Sequence, residues 1–297
     1  MRTEKSALAP VAFILVAAFS VQGGAAFAKG IFPSIGVAGT AAIRIGLSAI
    51  MLLAVFRPPV HRFTAAQWRA VVPYGITIGV MNLLFYQALV RIPLGLAVAL
   101  EFVGPLAIAI VGSRRALDLV WVMLAMAGIA LIAPFHADSN IDPAGVTYAL
   151  LTGACWAAYI VLGGRVSQRL DSGVAVAVGM TIAAVTIMPY ALAVGGIEKF
   201  APHLLLPCVA MAVLSSALPY ALEMKALRVL PGRTFSILMS LEPVIAALCG
   251  LLLLSEHLTG AQWAAVALVV IASAGATSSV ARRTGANKIN DIGAGSL

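Results

Sequence analysis

The chain has 297 residues, of which 62% are hydrophobic and only 10% charged, and its mean hydropathy is +1.03. A soluble globular domain carries about 25% charged residues, and a disordered chain combines low hydrophobicity with high charge, so both classes are excluded. The net charge of +8 comes from basic residues spread along the chain rather than gathered in one patch, which argues against a nucleic-acid partner.

A helical membrane span takes about 20 apolar residues. Charges and turn residues cut the chain into apolar runs near 10–29, 36–56, 70–90, 93–113, 119–135, 144–163, 174–194, 203–223, 233–253 and 260–280. The expected fold is therefore an all-α polytopic membrane protein of ten transmembrane helices, with the lipid bilayer as its main partner. Arg2 and Lys5 precede the first run, and Ala26-Phe27-Ala28 imitates a signal-peptidase site. The uncharged stretch from Ser6 to Ala28 is 23 residues, longer than a signal-peptide core, so a retained first helix is expected. Cys155, Cys208 and Cys249 lie far apart inside apolar runs and suggest neither a disulfide framework nor a metal site.

With the N-terminus in the cytoplasm, fifteen of the 19 Lys and Arg residues fall in cytoplasmic segments. Only Lys29, Arg91 and Lys199 fall on the other side, and Arg44 lies within a span. That asymmetry obeys the positive-inside rule and puts both termini in the cytoplasm. The halves also echo each other. Ala88, Leu89, Pro93 and Pro105 recur as Ala226, Leu227, Pro231 and Pro243, each pair 138 residues apart. Five spans per half is an odd number, so the second half would be inverted relative to the first, an arrangement common among transporters.

An ionisable side chain at the bilayer centre costs at least about 2.5–3.5 kcal/mol and calls for a partner or a function. Arg44, Glu101 and Glu242 are in that position. Arg44 and Glu101 each lie about 12 Å from the same face at 1.5 Å per residue, so an ion pair between them is possible. Asn82 sits at a comparable depth, with Tyr86 one turn away on the same helical face. Two readings stay open: a fixed Arg44–Glu101 pair that pins two helices, with Asn82 as hydrogen-bonding glue, or a cavity wall. A cavity wall carrying both signs would suit a zwitterionic solute, with Arg44 taking its anionic group and Glu101 its cationic one. Glu101 is also the candidate for coupling to protons.

Glu242 precedes Pro243, and Glu101 lies four residues before Pro105. Such prolines remove a backbone hydrogen bond and can kink a helix beside a cavity. Trp156, Tyr159 and Tyr220 are further candidates for the wall, since an ammonium group can rest on an aromatic face. Gln22, followed by Gly23-Gly24, allows a neighbouring backbone or a substrate to approach. The spacing of Gly75 and Gly79 is a helix-packing signal. No G-x4-G-K-[ST], H-E-x-x-H or G-x-S-x-G motif occurs, so no cofactor, metal or enzymatic activity is expected.

Several stretches also resemble a known family. They are Ser20-Val21-Gln22-Gly23-Gly24-Ala25, Tyr86 with Pro93 through Phe102, Gly104-Pro105-Leu106, and Gly153-Ala154-Cys155-Trp156-Ala157. Ser216 through Met224, Arg233-Thr234-Phe235 and Met239-Ser240-Leu241-Glu242-Pro243 complete the pattern. Together they resemble the bacterial inner-membrane threonine/homoserine exporters, a branch of the drug/metabolite transporter superfamily built from two five-helix EamA repeats. The resemblance implies repeats over 10–135 and 144–280, a cytoplasmic tail over 281–297, a central cavity, and efflux of small amino acids driven by the membrane potential or proton gradient. The alternatives are another cargo on the same fold, such as a different amino acid or a small drug, or a membrane protein that transports nothing.

Overall fold

The computed structural model describes residues 4–110, 116–132, 141–219, 222 and 238–276, and among these no strand occurs. The helices are α1 (Glu4–Phe56), α2 (Ala65–Leu89), α3 (Leu94–Glu101), α4 (Val103–Ile110), α5 (Ala116–Ile132), α6 (Pro143–Ser167), α7 (Ser172–Val194) and α8 (Leu205–Ala212). A π turn over Val213–Ala217 extends α8, and α9 (Glu242–Leu254) and α10 (Gly260–Ala276) follow. Val11–Phe56, α2, α6 and α7 are each long and apolar enough to cross a membrane. Large apolar side chains stand exposed on the helices, among them Phe19, Ile50, Met123, Val185, Leu206 and Leu252. In water such a surface would aggregate, whereas in hydrocarbon it costs nothing.

The 53-residue run of α1 would measure about 80 Å if straight, far beyond the roughly 30 Å hydrocarbon core. It turns at Gly36, whose φ of 71° and ψ of 166° divide it into two arms. Only glycine takes that conformation without a Cβ clash, and Thr40 Oγ1 donates to the Gly36 carbonyl at 2.7 Å. The connection expected between residues 29 and 36 is thereby corrected: the apolar residues 31, 32 and 35 keep the first arm helical up to the glycine. Short-range signals start other helices. Thr64 and Gln67 form a reciprocal capping box on α2, Thr259 and Gln262 repeat it before α10, and Asp142 caps α6 ahead of Pro143.

The span expected over 93–113 is split. α3 ends at Glu101, Phe102 forms a turn, and α4 resumes at Val103. Pro105 has no N–H to give to the Glu101 carbonyl, so the α-helical ladder fails there. The backbone of α6 fills the gap. A Cβ on Gly153 would lie 2.7 Å from the Glu101 carbonyl oxygen, and one on Gly104 would collide with the Gly153 carbonyl. Glycine at both positions is what allows this close crossing. The Gly75 and Gly79 pair does the same work between α2 and α7, facing Gly179, Ile182 and Ala183. All residues of α3 from Leu94 to Leu100 are buried, which makes this short helix the centre of the core.

One end of the bundle is tied by a cluster that joins distant parts of the chain. Lys29 Nζ contacts Glu256 Oε1 at 2.5 Å and donates to the Ile92 carbonyl at 3.3 Å. Glu256 Oε2 accepts from the Leu94 N–H at 2.8 Å, placing a negative charge at the N-terminus of α3, where the helix dipole favours it. Ser255, in the left-handed conformation at φ 54°, reverses the chain so that Glu256 reaches back, and Gly250 leaves room for its carboxylate. Glu256→Ala should lower stability by about 1–3 kcal/mol, since it strands the Leu94 N–H and removes the ion pair of Lys29. The double variant Lys29→Ala/Glu256→Ala should cost less than the sum of the singles, measured by thermal unfolding in detergent.

Candidate functional site

A cavity of about 210 Å³ lies where the broken helices meet. Both arms of α1 reach it, with Val21, Gln22 and Ala25 from the first and Arg44 from the second. Met81, Asn82, Phe85 and Tyr86 come from α2, Glu101 from the end of α3, Thr152 and Trp156 from α6, and Met180 from α7. Ser215 of the π turn and Glu242 at the start of α9 complete the wall. Seven residues singled out from the sequence meet here: Gln22, Arg44, Asn82, Tyr86, Glu101, Trp156 and Glu242.

Arg44 is 7% exposed and is held by neutral groups. Its Nη2 donates to Asn82 Oδ1, while its guanidinium carbon lies 5.0 Å from the centre of the Tyr86 ring, within cation–π range. Asn82 is itself oriented, since its Nδ2 donates to the Ile78 carbonyl at 2.8 Å. Tyr86 is fixed between Phe32, with ring centres 5.2 Å apart, and Met211, whose sulfur its hydroxyl meets at 3.9 Å. Among the described residues no carboxylate comes within 4.0 Å of Arg44. The Arg44–Glu101 ion pair considered from depth alone is therefore not formed. Arg44 turns to the α2 face that carries Asn82 and Tyr86, while Glu101 stands across the cavity wall at a helix end.

Both carboxylates occupy helix breaks. Glu101 is the last residue of α3, and Glu242 is the first of α9, immediately before Pro243. Broken helices of this kind form the sites of many secondary transporters, because their ends bring charge and backbone polarity to mid-membrane depth. Trp156 stands edge-on to Phe102, with ring centres 4.9 Å apart. Tyr159 does not join the cavity wall; it stacks on Tyr74 at 5.2 Å and helps pack α6 on α2. Tyr220 lies outside the described residues.

Three buried polar atoms have no hydrogen-bond partner among the described residues: Gln22 Oε1, Arg44 Nε and Ser215 Oγ. All three residues line this one cavity. A buried polar group without a partner costs about 1–3 kcal/mol, and native structures hold few of them. Their convergence marks a place built for a polar occupant. Ser215 and Thr152 were not expected from the sequence. A serine or threonine in an apolar helix ordinarily bonds back to its own turn, as Thr152 does to the Tyr148 carbonyl at 2.8 Å, so residue type alone does not separate them.

An apolar-clad helical bundle enclosing a small charged cavity at the junction of broken helices is the architecture of a membrane transporter. The chain belongs to the EamA-like transporter family, whose model matches residues 143–278. It is 43% identical to the threonine/homoserine exporter RhtA of Salmonella typhimurium strain LT2 over 274 residues, 92% of each chain. It is likewise 43% identical to RhtA of Escherichia coli K12 over 276 residues, 93% of each. One solved crystal structure, 20% identical, overlays on 95% of this chain and 99% of its own with a TM-score of 0.56, which shows a common fold. The protein is a transporter and not an enzyme.

Tyr86→Phe should leave stability nearly unchanged, because the acceptor its hydroxyl meets among the described residues is a weak sulfur and the ring stays under Arg44. Tyr86→Leu should cost about 0.5–2 kcal/mol in lost cation–π contact, on top of any loss of packing. Thermal unfolding of the two variants side by side separates these contributions.

Proposed function

We propose that the protein exports L-threonine, L-homoserine and close analogues from the cytoplasm across the bacterial inner membrane, as a secondary transporter working by alternating access. The observation that carries this reading is Arg44. A guanidinium buried in the cavity wall, held among the described residues by Asn82 and Tyr86, presents its Nε–H to an anionic group. An α-amino acid supplies that group in its carboxylate, and its ammonium finds acceptors in Gln22, Glu101 and Glu242 on the same wall. The names of the 43%-identical relatives point to the same cargo.

Size separates this reading from a drug exporter. Pockets for drug-sized ligands run from about 300 to 1,000 Å³, and this cavity has about 210 Å³, enough for a small metabolite. The chain is read as two inverted five-helix repeats, over 10–135 and 144–280, with a tail over 281–297 and both termini cytoplasmic. The prolines repeated 138 residues apart and the helix breaks beside both of them support the repeat. Export is driven by the membrane potential or proton gradient, and Glu101, half-buried at the end of α3, is the group that carries the proton.

Radiolabelled threonine flux in liposomes under imposed pH and voltage gradients tests the whole reading; absence of gradient-driven threonine flux sinks it. Arg44→Ala should abolish flux while folded protein remains in the membrane, and normal transport would remove Arg44 as the carboxylate clamp. Glu101→Gln should lose its response to the pH gradient but keep exchange, and an unchanged pH profile would remove Glu101 as the proton site.

A further inference from the structure

Of the three cavity atoms without a partner among the described residues, export as proposed above engages two, Arg44 Nε for a carboxylate and Gln22 Oε1 for an ammonium. Ser215 Oγ remains, buried and without a hydrogen-bond partner among the described residues. It complements neither an anion nor a cation in particular. A hydroxyl both donates and accepts, and its natural counterpart is another hydroxyl.

The local fold presents Ser215 deliberately. It lies in the π turn Val213–Ala217, where one extra residue per turn shifts the register of the side chains; such turns occur frequently at functional sites. The register brings two consecutive serines inward. Ser216 Oγ meets Ser48 Oγ at 2.9 Å, while Ser215 joins the cavity wall. The turn is also clamped to the first arm of α1, where Ser20 Oγ donates to the Leu214 carbonyl at 2.7 Å. Opposite Ser215 stands Gly24, and a Cβ there would collide with Ser215 Oγ. Glycine at 24 therefore clears the space that the hydroxyl occupies. A polar group held by neighbours on both sides is pre-organised rather than adaptable.

We propose that Ser215 is the specificity-determining residue that reads the side-chain hydroxyl of the transported amino acid, selecting hydroxylated substrates over apolar isosteres. The inference rests on the export reading above. An apolar pocket rejects an added hydroxyl only weakly, but a site that hydrogen-bonds a substrate hydroxyl rejects the analogue lacking it strongly, because its own polar group is left unpaired. Valine is threonine with a methyl in place of the hydroxyl, so the pair isolates this contact. Ser215 bears on cargo choice alone, while the zwitterionic head is left to Arg44, Gln22 and the carboxylates.

The test is the ratio of threonine flux to valine flux in liposomes holding the full chain, which does not depend on how much protein is folded. Wild type should favour threonine, and Ser215→Ala should shrink that preference on the order of 10-fold or more while continuing to carry valine. Ser216→Ala, which removes the neighbouring hydroxyl bonded to Ser48, should lower thermal stability and leave the ratio unchanged. An unchanged ratio in Ser215→Ala overturns the inference. So does loss of both fluxes in that variant, or an equal fall in the ratio for Ser216→Ala, since either assigns the turn a structural role. Wild type that carries threonine and valine equally also overturns the inference but spares the export reading, whereas wild type that carries neither removes both.

Discussion

A charged side chain inside hydrocarbon must be neutralised, hydrated or held by polar neighbours, and the way Arg44 meets this demand organises the centre of the molecule. A carboxylate partner would have satisfied it fully and left the cavity electrically quiet. Instead Asn82 and Tyr86 supply an amide oxygen and an aromatic face, which stabilise the guanidinium without cancelling its charge. The arrangement has its own supports: Asn82 is aimed by its bond to the Ile78 carbonyl, and Tyr86 is wedged between Phe32 and Met211. A second arm of α1, a face of α2 and the sulfur of α8 are thus all committed to holding one cation in place. The positive charge that results is available to an occupant, and the carboxylates at two helix ends face the same space.

The backbone breaks follow from the same requirement. A carboxylate midway along an unbroken buried helix would be surrounded by side chains of its own turns. At the end of α3 and the start of α9, Glu101 and Glu242 instead stand where the helix stops and the chain leaves room. Pro105 and Pro243 make the stops, and the glycines at 104 and 153 let α6 close against the first of them. Each break exposes peptide groups that lipid could not satisfy, so both are enclosed by neighbouring helices.

Much of this was legible in the sequence, for a definite physical reason. Hydropathy reports the cost of polar groups in lipid, so the residues that break the apolar pattern, Arg44, Asn82, Glu101 and Glu242, declare themselves, and all four line the cavity. Prolines declare where a helix must yield. Contacts between distant segments leave no such mark. Lys29 and Glu256 are 227 residues apart, and each read singly is an ordinary charge near a helix end. That Arg44 meets Asn82 and Tyr86 rather than Glu101 is likewise a contact between separate helices, which no hydropathy pattern encodes. Tyr159 was misleading because an aromatic one turn from Trp156 shares its face only approximately, and that small rotation is enough to stack it on Tyr74 instead. Ser215 was hidden because its exposure depends on a π turn, a register shift that period-3.6 reasoning assumes away.

The cavity also explains why the bundle tolerates a flaw in its own packing. Three buried polar atoms without partners among the described residues, each costing about 1–3 kcal/mol if left bare, are a large burden against a net stability of about 5–15 kcal/mol. Replacing them with apolar side chains would give a firmer helix bundle without a polar cavity. Their convergence in one small space, on the first and second arms of α1 and on the π turn, fits a cavity that takes up a polar occupant. An occupant that satisfies all three must offer an anion, a cation and a neutral hydrogen-bonding group within about 210 Å³. A small hydroxylated amino acid carries those three groups, and few lipophilic drugs do. A site stabilised by its cargo also has reason to change shape on release.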